Sequence, residues 1–117
     1  MTIFQIHSTE TAPEASVPVL QAVNKNLGFV PNLFGVLAEA PAAAEAYAAV
    51  MDIFERSSLS NAEKQTVLLS ASLVNDCEYC MAAHTAVAGM KKVPANIIEA
   101  LRPARHCPIE SSMRWPA

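Results

Sequence analysis

The sequence predicts an all-α protein, and three observations support this fold class. Hydrophobic residues make up 52% of the 117 residues but aromatic residues only 6%, so much of the apolar content is alanine, which suits close helix packing. Apolar residues recur at spacings of three and four along the middle of the chain. Ser60 is followed three residues later by Glu63, which is a helix-start pattern. We expect about six helices in one small domain that forms oligomers.

The N-terminal half contains three predicted helices after an irregular lead-in over residues 1–12. The first runs over 14–27, because Gly28 follows it in the usual helix-terminating position. A short helix starts near Pro31, and a longer one runs from Pro41 to about residue 56. One apolar face of this longer helix is formed by Ala46, Tyr47, Val50, Ile53 and Phe54.

The next predicted helix begins at Ser60 with a capping box and runs to about Val74. Its interior is apolar nearly all round, which predicts a central helix buried on several sides. That interior comprises Val67, Leu68, Leu69, Ala71, Leu73 and Val74.

A further helix follows the Asn75-Asp76 break, with Asp76 predicted as its N-cap. We expect it to begin at Cys77 and run to about Ala88, with Gly89 as its terminator. One more helix is predicted over 95–101, after Pro94.

Residues 102–117 show neither helical periodicity nor strand alternation, so we expect the domain to cover 1–101 and an irregular C-terminal tail to follow it.

Charge and hydropathy argue against several classes of partner. The formal net charge is -3 and no run of lysine or arginine occurs, which argues against binding to nucleic acid or to an acidic membrane surface. The N-terminus does not fit a signal peptide, and no apolar run is long enough to cross a bilayer. We therefore expect a cytoplasmic protein.

The chemistry of the chain is predicted to lie in Cys77-Glu78-Tyr79-Cys80 and His84. Spacings of three, four and seven residues place Cys77, Cys80 and His84 on one helix face. Two sulfurs at this spacing in a first helical turn can close a disulfide, and the helix N-terminus favours thiolate. Asp76 and Glu78 oppose thiolate formation. The arrangement suits thiolate attack on a peroxide or a disulfide, with His84 relaying a proton.

The competing interpretation is a zinc-stabilised helical binding module. Cys77, Cys80 and His84 are plausible zinc ligands, and His106 or Cys107 could supply a fourth. Three ligands on one short helix are, however, poorly disposed around a tetrahedral ion. We expect Cys107 to be an incidental exposed thiol and His7 to be solvated.

The motif Cys-x-x-Cys-x-x-x-His at residues 77–84 resembles the signature of alkylhydroperoxidase D-like proteins, a branch of the carboxymuconolactone decarboxylase family. The segments 28–34 and 59–65 also resemble stretches of that family, and the similarity covers about residues 10–101. The resemblance implies an all-α fold that forms trimers or hexamers. It also implies a thiol peroxidase whose redox-active disulfide, Cys77–Cys80, is re-reduced by a thiol or dithiol protein.

Carried over by resemblance, Cys80 attacks the hydroperoxide, Cys77 resolves and His84 belongs to the proton relay. Helix-end electrostatics alone would favour Cys77 as the attacking thiol. The characterised peroxidases have a glutamate twelve residues before the first cysteine, where this chain has Gln65, which cannot act as a general base. Gln65, Glu63 and Tyr79 are candidates for proton relay or for orienting His84.

The leading prediction is a thiol-dependent peroxidase or related dithiol oxidoreductase that needs no flavin, haem or obligatory metal. The zinc module is one alternative. An incomplete family member that keeps the fold with little activity is the other. Longer members of this branch continue past the position of Leu101 with further helices, so truncation or a shifted reading frame in the source sequence is one hypothesis for residues 102–117. A family-like continuation in another frame of the DNA would support it.

Overall fold

The computed structural model describes residues 3–102, which contain six α-helices and no strand. This confirms the predicted all-α class. The chain forms two compact units, one ending at Arg56 and the other beginning at Ser57. The predicted tail lies outside the described residues except for Arg102, and the predicted division at residue 101 stays a prediction. The helices are α1 Val17–Leu27, α2 Asn32–Leu37, α3 Pro41–Glu55, α4 Asn61–Val74, α5 Glu78–Met90 and α6 Ala95–Leu101.

The first unit begins its regular structure with a 3-10 turn, Glu14–Ser16, that leads into α1. The predicted helix start at residue 14 is therefore a 3-10 turn, and the α-helix starts three residues later with Pro18 in its first turn. Gly28 ends α1 in the left-handed conformation at φ 83°, as its position predicts. Prolines also begin the next two helices, since Pro31 is the N-cap of α2 and Pro41 opens α3.

The core of the first unit joins α1, α2 and the residue that follows α2. Its buried members are Leu20, Val23, Phe34 and Ala38. The Tyr47 ring packs edge-on against the Phe34 ring at a centroid distance of 5.3 Å, a favourable aromatic geometry. The face predicted for α3 is only partly covered, because Val50 and Ile53 are exposed.

His7 is buried, so the prediction of a solvated side chain is wrong. Its backbone N–H donates to the Gly35 carbonyl at 2.9 Å. Its ring contacts the Thr11 hydroxyl at 3.3 Å through Nδ1 and donates to the Glu39 carboxylate through Nε2. Gly35 permits this docking because a Cβ there would lie 2.7 Å from the Ile6 side chain and 2.8 Å from the His7 carbonyl.

The second unit is built on the pairing of α4 and α5, with α6 packed against both. The predicted capping box begins α4, where the Ser60 N–H donates to the Glu63 carboxylate at 2.7 Å and the Glu63 N–H donates to the Ser60 hydroxyl at 3.2 Å. The prediction of burial on several sides is wrong for the described chain, since Val67, Leu73 and Val74 are exposed. The buried residues of α4 are Lys64, Gln65, Leu69 and Ser72.

Candidate dithiol site

The turn between α4 and α5 fixes the first cysteine from both sides. Asp76 takes the left-handed conformation at φ 51°, and its N–H donates to the Leu73 carbonyl at 3.1 Å. The Cys77 N–H donates to the Ser72 carbonyl at 3.0 Å. These two bonds form a Schellman motif, which satisfies the last carbonyls of a helix. The Cys77 backbone N–H therefore donates one of the two hydrogen bonds that end α4.

Cys77 also begins the next helix. It is the N-cap of α5, and its Sγ accepts a hydrogen bond from the Cys80 N–H at 3.2 Å. The predicted N-cap, Asp76, is wrong because the Schellman bonds commit that residue to the end of α4. Aspartate is favoured at N-caps and also tolerates the left-handed conformation, so composition alone could not separate these two roles.

The two sulfurs lie at disulfide-bonding distance. The Cα atoms of Cys77 and Cys80 are 5.3 Å apart, within the range that a disulfide spans. Both residues are half-buried, and so is Tyr79 between them. The backbone of the pair is held at the N-terminus of a 13-residue helix.

His84 lies one helical turn beyond Cys80, on the same face of α5. It is half-buried, and burial lowers the pKa of its imidazole, because removal from water disfavours the charged form. The imidazole is consequently neutral at pH 7 and can accept a proton. Its Nδ1 is buried without a hydrogen-bond partner, an arrangement that is uncommon and usually has a reason.

Gln65 provides a second unpartnered atom in the same helix pair. It is only 2% exposed, yet its side-chain oxygen Oε1 has no hydrogen-bond partner. Leaving a buried polar atom unpaired costs on the order of 1–3 kcal/mol. Within residues 3–102 only Ser57 adds another buried side-chain oxygen or nitrogen without a partner. Gln65 in α4 and His84 in α5 therefore both carry spare hydrogen-bonding capacity.

Glu63 is placed differently from these residues. Its carboxylate belongs to the capping box at the start of α4, and the hydrogen bond from the Ser60 N–H, with a further contribution from the Ser60 hydroxyl, lowers its pKa. Eleven residues separate it from Val74, which is about 16 Å along a helix. The dithiol lies beyond that far end.

A second Schellman motif ends α5. Its left-handed residue lies three positions after Gly89, the predicted terminator. The left-handed residue is Lys92 at φ 57°. Its N–H donates to the Gly89 carbonyl at 3.1 Å, and the Val93 N–H donates to the Ala88 carbonyl at 3.0 Å. The prediction that Gly89 terminates the helix is wrong because Gly89 remains inside α5, which ends at Met90.

Neither a cluster of metal-ligating side chains nor a membrane-spanning helix is present among residues 3–102. Across residues 3–102 no three His, Cys, Asp or Glu side chains are grouped so that they could hold a metal ion. His106 and Cys107, the predicted additional zinc ligands, lie outside this range. None of the helices between residues 3 and 102 has the length and apolar character needed to cross a membrane.

The fold and the site together define a helical protein with a CxxC dithiol at a helix N-terminus. The family model for the carboxymuconolactone decarboxylase family matches residues 37–105, more than half of the chain. The chain belongs to this family, which lies within the alkylhydroperoxidase D-like superfamily. No curated protein matches the sequence.

Proposed function

We propose that the protein is a thiol-dependent peroxidase that reduces hydroperoxides through Cys77 and Cys80. The observation that supports this most directly is that the sulfurs of two half-buried cysteines lie at bonding distance, one turn before a neutral histidine. Thiolate sulfur attacks the O–O bond of peroxides, and a neighbouring thiol then closes a disulfide. Membership of the family, which includes alkylhydroperoxidase D-like peroxidases, agrees with this chemistry.

In the proposed reaction His84 takes the thiol proton of Cys80 and the resulting thiolate attacks the substrate's terminal peroxide oxygen. The O–O bond breaks, Cys80 becomes a sulfenic acid, and the leaving alkoxide takes the proton to become an alcohol. The Cys77 sulfur then attacks the sulfenic sulfur, the S–O bond breaks, and the thiol proton of Cys77 joins the departing hydroxide to form water. A thiol or dithiol reductant protein returns two electrons and two protons to the disulfide.

Gln65 is proposed to act by hydrogen bonding and not as a base, because an amide does not accept protons near neutral pH. Its unpartnered Oε1 and the unpartnered His84 Nδ1 could each bind a water molecule in the proton path. Tyr79 and Glu63 remain the other candidates for relay or orientation. Glu63 is the least favourably placed, since its carboxylate is held in the helix cap.

The test is peroxide turnover with dithiothreitol as the reductant. We expect turnover of hydrogen peroxide or an organic hydroperoxide by the native chain, none above the buffer rate for Cys80→Ser, and native rates for Cys107→Ser, the matched control. Full activity in Cys80→Ser would refute its role. A native chain that consumes no peroxide would instead favour the family member with little activity.

We also propose that the chain works as a homo-oligomer, a trimer or hexamer. The exposed apolar side chains of α4 support this, since Val74 is 84% exposed and Val67, seven residues earlier, is 47% exposed on the same face. Light scattering should give an oligomer mass for the native chain and a smaller mass for Val74→Glu. A monomeric native chain would refute the proposal.

A further inference from the structure

The two Schellman motifs of the second unit offer an internal comparison, because each has the same pair of hydrogen bonds. The bonds measure 3.1 and 3.0 Å at the end of α4 and again 3.1 and 3.0 Å at the end of α5. Each motif also has a left-handed residue that is not glycine, Asp76 or Lys92. The two ends differ in the residue that follows: Val93 is a buried apolar side chain, whereas Cys77 is the first sulfur of the dithiol.

We propose that the left-handed turn at Asp76 is a positioning device for the dithiol, and that it sets how strongly Cys77 and Cys80 favour the disulfide. Asp76 is a positioning residue and not a catalytic one, since it acts through the backbone of Cys77. The proposal rests on the redox role given to the dithiol above. It adds the structural feature that positions the Cys77 sulfur near the Cys80 sulfur.

The physical link is that the two sulfurs lie at bonding distance when Cys77 is the N-cap of α5. With the turn closed, the Cys77 N–H is bound to the Ser72 carbonyl and its Sγ lies against the Cys80 N–H. If the turn opens in the reduced protein, Cys77 leaves this position, and the turn must close again before the two sulfurs can bond. That cost lowers the equilibrium constant for disulfide formation. By reciprocity, the disulfide stabilises the closed turn by the same factor.

The residue at position 76 controls how readily the turn closes. Asparagine, aspartate and glycine enter the left-handed region readily, whereas a β-branched residue there is a genuine outlier. Asp76→Asn and Asp76→Val both remove the charge beside the thiols. A comparison of these two variants therefore isolates the backbone effect from the electrostatic one.

The experiment is redox equilibration with glutathione, which needs no peroxide. A cysteine thiolate attacks glutathione disulfide and releases one glutathione, and the second cysteine thiolate attacks the mixed disulfide and releases another. The fraction of Cys77–Cys80 disulfide is measured at each glutathione ratio by alkylation and mass. All proteins carry Cys107→Ser, so that no third thiol takes part.

We expect the equilibrium constant of Asp76→Val to be about tenfold lower than that of Asp76→Asn, a shift of about 30 mV in reduction potential. Asp76→Gly should behave like Asp76→Asn. The matched control is Lys92→Val against Lys92→Asn, which places the same β-branched residue in the other motif and should leave the equilibrium unchanged. Exchange of the Cys77 amide should also be slower in the oxidised protein than in the reduced one.

Equal constants for Asp76→Val and Asp76→Asn, or an equal shift at Lys92, would overturn the proposal. If Asp76→Val does not fold, as judged by circular dichroism, Asp76→Ala takes its place with the same expected order. A protein that shows the shift but reduces no peroxide would refute the proposed activity and leave this inference intact.

Discussion

The C-terminal ends of α4 and α5 are closed by the same Schellman motif, but different kinds of residue follow the two motifs. At the end of α5 the motif delivers Val93, which is only 7% exposed and serves packing. At the end of α4 it delivers Cys77, which is half-buried and immediately caps another helix. The difference teaches that one helix-ending motif can place either a packing residue or a cysteine. At the end of α4 a second helix starts on the residue that closes the first, and this brings Cys80 beside Cys77.

The largest expected effect is on peroxide turnover, when Cys77 is replaced by valine, the residue at the equivalent position after α5. Cys77→Val should keep the Schellman bonds, because valine already occupies that place at the α5 end. Helicity by circular dichroism should be retained while peroxide turnover falls well below the native rate, since the Cys80 sulfenic acid then has only the external dithiol to resolve it. Native turnover in this variant would contradict the account, and Cys107→Ser is the control for loss of a thiol elsewhere.

The next effect concerns His84, which we propose accepts the thiol proton of Cys80. His84→Asn should lower the peroxidase rate at pH 7 about hundredfold, the lower end of what general base catalysis contributes. Because burial lowers the pKa of His84, the native rate should fall only below about pH 6.5, the ordinary histidine value. The variant should not show this acidic limb. An unchanged limb in His84→Asn would assign it to another group.

His84 should also make the free energy of unfolding depend on pH, because the unfolded chain binds a proton at this residue more readily than the folded protein does. The native imidazole resists protonation, while the unfolded chain binds a proton at about pH 6.5. The free energy of unfolding therefore falls as the pH drops below that value. Urea titrations at several pH values should show this fall, and His84→Asn should reduce its slope.

A smaller effect is expected from truncating the packing residue of the α5 end. Val93→Ala should lower the free energy of unfolding by about 2 kcal/mol, because its buried methyl groups are lost. Cys77→Ala should cost less in the reduced protein, since that side chain is half-buried. Urea denaturation of the reduced variants measures both values. A larger loss of unfolding free energy for Cys77→Ala than for Val93→Ala would mean that the Cys77 side chain contributes more to packing than Val93 does.

The smallest effect should come from the start of α4, far from both turns. Ser60→Ala removes the hydroxyl that accepts from the Glu63 N–H, which typically costs about 1 kcal/mol. Its glutathione equilibrium should match that of the native chain. A changed equilibrium would show that the dithiol depends on the whole helix and not on the turn.

Helix positions were largely predictable from local signals. The capping box at Ser60, the left-handed Gly28 and the prolines at 31, 41 and 94 each act through their own backbone or their nearest neighbours. The end of α4 at Val74 was also predicted, from the Asn75-Asp76 break. The left-handed conformations of Asp76 and Lys92 were not predictable. Both positions adopt positive φ without glycine, so residue type alone does not identify them in a sequence.

The candidate site was predictable only in part for a similar reason. The spacing of Cys77, Cys80 and His84 gives one helix face without any tertiary information. The burial of Gln65 and His7 depends on neighbours distant in sequence, such as Glu39 for His7. The apolar run in α4 indicated burial, but hydropathy does not distinguish burial within a chain from burial against another copy.

The most direct test is a single turnover of the fully reduced protein with one equivalent of hydrogen peroxide, followed by alkylation and peptide mass analysis. The account predicts a disulfide between Cys77 and Cys80 and an alkylated, free Cys107. Cys77 and Cys80 both recovered alkylated after exposure to peroxide, or a disulfide that includes Cys107, would contradict it.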